Sequence, residues 1–170
     1  MSVDTKLTKT PYTKEKYTTH ELQELAKCAM DPQYFITEYV WIQHPTKGRL
    51  KFELFDYQRE LLNSYHDHRY SIALISRQMG KSTAAGAYLL WYSMFIPDQT
   101  VLIAAHKYSG AQEIMQRIRF AYELLPNFIR AGVTAYNKGS LEFDNGSRII
   151  AQATTDNTGR GLSISLGYLD

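Results

Sequence analysis

An α/β domain with a mainly parallel central sheet, preceded by a small helical region, is predicted from three observations. Two short, continuous apolar runs, residues 71–75 and 100–105, have the texture of strands buried on both faces of a parallel sheet. Each is followed by a stretch of helical period closed by a proline: about Lys81 to Phe95 before Pro97, and about Gly110 to Leu125 before Pro126. Between the first run and its helix lies a polar loop, Ser76-Arg77-Gln78-Met79-Gly80, that opens directly into Lys81-Ser82-Thr83. Strand–helix alternation of this kind implies crossover connections within one sheet.

The elements follow in order. Residues 1–18 are rich in Thr and Lys without an apolar period and read as a flexible arm. Residues 19–66 form the helical N-terminal region. Thr18 and Glu21 have capping-box spacing before Leu22, Leu25, Ala26 and Ala29. Asp31-Pro32 then starts a second helix, with Phe35, Ile36 and Tyr39 on one face. Residues 44–48 make a turn, and Leu50, Phe52 and Leu54 alternate as a half-buried strand. Asp56 caps a third helix carrying Tyr57, Leu61 and Tyr65. From residue 70 to 170 the α/β core follows. Asn145-Gly146 between residues 140–143 and 148–153 predicts a hairpin with a type I′ turn. Residues 164–169 read as one more buried strand; with no helix after it to cover it, the chain reads as a piece of something longer.

Composition excludes several classes. The 170 residues suit about one domain of ~100–200 residues. A single cysteine, Cys28, rules out an intramolecular disulfide framework. The longest mostly apolar run, residues 84–96, falls short of the ~18 residues of a spanning helix, and the first ten residues hold no apolar secretory core. A soluble intracellular chain is expected. A net charge of +2 is too small to argue for nucleic acid by itself.

The loop at residues 76–83 is the most informative segment. Backbone N–H groups and the positive end of a helix dipole suit phosphate there. Gly80 would let the backbone pass close to the anion, Lys81 would neutralise the β- and γ-phosphates, and the Ser82 hydroxyl would complete the shell of Mg²⁺; an ordinary βα turn is the alternative. The full phosphate-loop pattern asks for a glycine where this chain has Ile75. Arg77 is placed to swing onto a γ-phosphate.

These residues, with their neighbours, point to a family. SRQMGKST, preceded by LFDYQRELL and followed by LIAAHKYSGAQEIMQRIRFAYELLP, YNKGSLEFDNGSRI and GRGLSISLGYLD, resembles the large terminase subunit of tailed, myovirus-like bacteriophages over residues 31–170. The resemblance implies a P-loop NTPase of RecA/ASCE-like class, incomplete at its C-terminus, belonging to an ATP-driven DNA-packaging motor. The loop without its first glycine is the family's variant. By the resemblance, Tyr57 and Gln58 form the adenine motif, the Gln58 amide pairing with N6 and N7 of the base. Ser76, Arg77, Gln78, Met79, Gly80, Lys81, Ser82 and Thr83 occupy the Walker A positions, with Arg77 as a sensing or finger arginine. Asp170 is the Walker B aspartate, holding Mg²⁺ together with Ser82.

In the family a glutamate follows that aspartate and polarises the attacking water. A C-terminal nuclease domain comes later. The resemblance therefore implies that residues 1–170 bind nucleotide weakly with hydrolysis severely impaired, and that the full-length parent is the ATPase and translocase. Implied partners are double-stranded DNA, the portal protein, the small terminase subunit and further copies in a ring. The implied setting is the host cytoplasm, transiently at the portal vertex of the prohead, with no membrane. Two other readings stay open on the residues: a helicase-like ATPase, and a non-catalytic nucleotide- or subunit-binding module.

Two smaller signals complete the set. Lys107, in the loop after residues 100–105, and Arg160, between two glycines, are candidate DNA contacts. His66 and His68 do not form a metal pair, because at i, i+2 on a helix the rings face apart.

Overall fold

The capping box predicted at Thr18 is present: its hydroxyl accepts from the Glu21 N–H at 3.2 Å, and the Glu21 carboxylate accepts from the Thr18 N–H at 2.7 Å. It starts α1 (Thr19–Met30). Asp31 then caps α2 (Pro32–Tyr39) through the N–H groups of Gln33 and Tyr34 at 2.8 and 3.1 Å. The computed structural model describes residues 7–44 and 46–170. Residues 1–6 of the expected arm and Pro45 of the expected turn lie outside them. An antiparallel ribbon follows, β1 (Trp41–His44) with β2 (Gly48–Lys51), before α3 (Asp56–Asp67). The expected strand through Phe52 and Leu54 ends early, at Lys51, and both of those side chains are buried beyond it. Phe55, rather than Asp56, is the residue that caps α3.

The core proper comprises α4 (Lys81–Phe95), β3 (Thr100–Ala105), α5 (Tyr108–Glu123), β4 (Val133–Tyr136), β5 (Ser140–Phe143), β6 (Arg148–Ala153) and β7 (Leu166–Leu169). α4 is apolar around most of its circumference and is buried accordingly, packed by α2, α3 and α5. One hydrophobic cluster joins Cys28, Phe35 and Leu62 of the N-terminal helices to Leu90, Ile103, Ile118 and Ile149 of the core.

The sheet has the order β4-β5-β6-β3-β7. β3 runs parallel to β6 and β7, whereas β4, β5 and β6 pair antiparallel, so the sheet is mixed rather than mainly parallel. The hairpin brings this about, and β4, unforeseen from sequence, extends it. The turn also differs from type I′. Only Gly146 has positive φ, +83°, because Asn145 turns its amide to Ser93 O and Met94 O at 3.0 and 3.1 Å. Those are carbonyls that the end of α4 leaves without helical partners.

The strand expected at residues 71–75 is overturned. Residues 71–75 form no strand: Ile72 and Leu74 are fully exposed, and β7, whose one partner is β3, is the edge of the sheet. An apolar run is buried on both faces only where strands flank it, and among the described residues none pairs with this one. A cavity of about 200 Å³ separates it from β7, lined by Ala73, Tyr65, Tyr88, Leu89 and Tyr168. Replacing Ile72 and Leu74 together by Thr should therefore reduce concentration-dependent association. Light scattering across protein concentrations reads this directly, and unchanged scattering would contradict a role for this run in association.

Within the segment expected to be an arm, the described residues make contacts with the core. Lys9, itself buried, accepts from Val133 N through its carbonyl at 3.0 Å and pairs with Glu15 at 2.9 Å. The Tyr12 N–H donates to Asp144 at 2.9 Å.

A half-buried polar cluster fixes α1 on α2. Glu24 accepts from Tyr34 and Tyr39 hydroxyls at 2.7 and 2.6 Å and from Lys27 at 2.7 Å. Lys27 first, then the two tyrosines, hold its carboxyl down at about 2. A depressed folded value means a contribution present above the unfolded value of about 4.3 and lost as pH falls from there toward 2. Glu24→Gln should flatten that part of the acid limb in melts taken between roughly pH 5 and pH 2.5. An unchanged limb would contradict this account.

Candidate functional site

The parallel strands β3, β6 and β7 end at one edge of the sheet, in register at Ala105–Ala153 and Ala104–Leu169. From that edge emerge the His106-Lys107 loop, the loop after Ala153, and Asp170, whose N–H donates to Ala104 O at 2.9 Å. Ligands of open α/β sheets collect in the crevice at such carboxyl ends.

The N-terminus of α4 meets Asp170 here. Gly80, with φ +71°, turns the chain into α4, and Gln78 also sits at positive φ, +64°. Their left-handed geometry forms the bend that gives the loop its shape. Lys81 Nζ and Ser82 Oγ both reach Asp170 Oδ1, the first as an ion pair and the second at 3.3 Å. The Tyr168 hydroxyl joins them at 3.1 Å. Burial pushes the Asp170 carboxyl up, but Lys81, Tyr168 and Ser82 together outweigh it and hold it below the ordinary range. The same burial raises the Tyr168 hydroxyl well above its usual value.

The loop is held from beneath. Tyr57 Oη and Gln58 Nε2 donate to Met79 O at 2.7 and 3.3 Å, and Gln58 Oε1 accepts from Phe55 N at 3.1 Å. A Cβ at Gly80 would stand 2.8 Å from Gln58 Nε2, so Gly80 is needed for this close approach as well as for its φ. Gln58 is buried, and the amide that the resemblance assigns to adenine is engaged inside the protein. Phe55 stacks on Tyr57, centroids 5.7 Å apart and 11° between planes, and 64% of it is exposed beside the loop.

The structure thus brings Tyr57, Gln58, Met79, Gly80, Lys81, Ser82 and Asp170 together. Ser76, Arg77 and Gln78 are exposed on the same loop. Thr83 lies in the first turn of α4, its hydroxyl accepting from Arg117 at 2.8 Å. Lys107 is exposed at the entrance of α5, and Arg160 donates to Asn157 Oδ1 at 2.8 Å. Neither reaches the Lys81–Asp170 contact by any bond among the described residues. Sequence reading missed Phe55, Tyr168 and Arg117. Tyr168 was available from strand alternation, since i and i+2 share a face with Asp170.

The donor set suits a hard cation. Ser82 Oγ and Asp170 Oδ1 lie 3.3 Å apart, and no cluster of three or more His, Cys, Asp or Glu occurs among the described residues. A cation that keeps several waters and shares its shell with phosphate needs no more than this. No helix among the described residues is long and apolar enough to cross a membrane.

Residues 72–170 match the family described as terminase large subunit, T4likevirus-type, N-terminal. The crystal structure of the HK97 bacteriophage large terminase superposes with a TM-score of 0.64 at 18% identity, covering 90% of this chain and 31% of that one. At that identity the likeness concerns fold, and this chain spans about a third of its length. The family match extends over more than half of the chain and includes the α4 loop and the strand before Asp170, so the chain belongs to the terminase large subunit family, of which it represents the N-terminal region.

Proposed function

We propose that this chain is the ATP-binding front portion of a viral DNA-packaging motor, of P-loop NTPase class. The observation that carries the reading is the convergence of Lys81 and Ser82 on Asp170 at the mouth of α4, behind a loop bent by two left-handed residues. In this reading the amides of residues 79–82 and Lys81 hold the triphosphate, Arg77 approaches its terminal phosphate, and Phe55 offers an apolar face to the base. Ser82 and Asp170 would hold Mg²⁺, which neutralises charge on the phosphates when bound. Lys81 must exchange Asp170 for phosphate, so nucleotide entry rearranges the pair.

Hydrolysis, translocation of double-stranded DNA, ring assembly, and contacts with the portal and the small subunit are proposed for the longer protein, acting in the host cytoplasm and at the prohead. Lys107 and Arg160, at the strand edge, are proposed DNA contacts. Titration with ATP, ADP, AMP and adenosine in the presence of Mg²⁺ tests the reading. Affinity should climb with the number of phosphates. Adenosine binding as tightly as ATP would reject a site built on the α4 loop.

A further inference from the structure

The α4 N-terminus carries a second cation that no motif assigns. Arg117, on α5, donates from Nη1 to the Thr83 hydroxyl at 2.8 Å across the helix pair. The register that permits this is set close by: at Gly86 a Cβ would meet Ile118 Cγ1 at 3.3 Å and Ile114 Cγ2 at 4.0 Å, so α5 rests directly on the α4 backbone there. Ile114 and Ile118 are buried, and Arg117 is the immediate neighbour of the second. Arg117 itself is exposed and forms no ion pair among the described residues.

Its position runs against ordinary helix electrostatics. The first turn of a helix favours negative charge, and here Lys81 and Arg117 both approach it, against Asp170 as the carboxylate paired there. Such a surplus of positive charge is stabilised when an anion binds. The guanidinium, with five N–H donors, spends one on Thr83 and keeps the others.

We propose that Arg117 is a positioning residue for the phosphate loop: it fixes the Thr83 hydroxyl in the first turn of α4 and so raises affinity for polyphosphate. This rests on the nucleotide-binding reading above. It also couples α5, which begins at the Lys107 loop, to the loop that holds the nucleotide.

The test is a double-mutant cycle in Mg²⁺-ATP affinity, measured calorimetrically on the full 170-residue chain, with melting temperatures alongside. Arg117→Ala and Thr83→Val should each weaken ATP binding by about three- to tenfold, the expected scale for losing one charge-assisted hydrogen bond of an exposed group. Together they should weaken it little further. Arg117→Lys should recover part of the loss, and melting temperatures should stay within about 2 °C because Arg117 is exposed. ADP should lose affinity with ATP, and adenosine should lose none.

Lys81→Ala serves as the control that separates the two claims. If Lys81→Ala weakens ATP and Arg117→Ala does not, the role of Arg117 is refuted while the site survives. Additive losses in the cycle would also refute it, since Arg117 would then act without Thr83. An affinity loss matched by a large drop in melting temperature would reduce Arg117 to a packing role. If Lys81→Ala has no effect, the site itself is misplaced.

Discussion

Lys81→Ala should weaken ATP binding by roughly ten- to a hundredfold, the scale of one lost charge-assisted contact to phosphate. Lys81 is the first residue of α4, and its ammonium already lies against a carboxylate oxygen at the loop mouth. Moving from that oxygen to a phosphate oxygen keeps the same kind of partner, so the rearrangement is confined to the Lys81–Asp170 pair. The fold should tolerate the change, because the side chain is partly exposed and the pair with Asp170 is of the weak, solvent-screened kind. Calorimetric titration with circular dichroism as a folding check decides the matter. Unchanged affinity in a folded variant would remove the loop from the binding site.

Asp170→Asn should change the dependence on metal. Without Mg²⁺ the carboxylate competes with phosphate for Lys81 and repels it, so the variant should bind metal-free ATP a few-fold more tightly. In the proposed reading the same carboxylate would be an oxygen donor to Mg²⁺ beside Ser82, and its loss should weaken binding. The ratio of the two affinities should fall on the order of tenfold, because the two effects work in the same direction on that ratio. Titrations with Mg²⁺ and with a chelator give the ratio. An unaltered ratio would separate Asp170 from any metal role.

Much of this site was legible in the sequence, because its parts are local. Gly80-Lys81-Ser82-Thr83 announces the start of α4, Pro97 announces its end, and both stand where the spacing put them. β3, the hairpin and β7 were legible from apolar runs and from Asn145-Gly146. What escaped depends on distant partners. Residues 71–75 read as a buried strand because hydrophobicity reports a preference for burial, while pairing is decided by neighbouring strands. The turn type escaped because the Asn145 amide serves the end of α4, far away in sequence. Gln58 was singled out only through the resemblance, and its packing against Met79 and Phe55 depends on where α3 docks. Arg117 was invisible, because the crossing at Gly86 that brings it to Thr83 joins two helices with no shared motif.

Polyphosphate binding at the loop that starts α4 is what the proposed function requires first. Its most direct measurement is the set of backbone amide chemical shifts recorded as Mg²⁺-ATP is added. The largest changes should fall on Met79, Gly80, Lys81 and Ser82, whose N–H groups lie at the loop and the first turn of α4, with smaller ones at Asp170 and Thr83. Shifts clustered elsewhere, or none at these amides at saturating nucleotide, would contradict it.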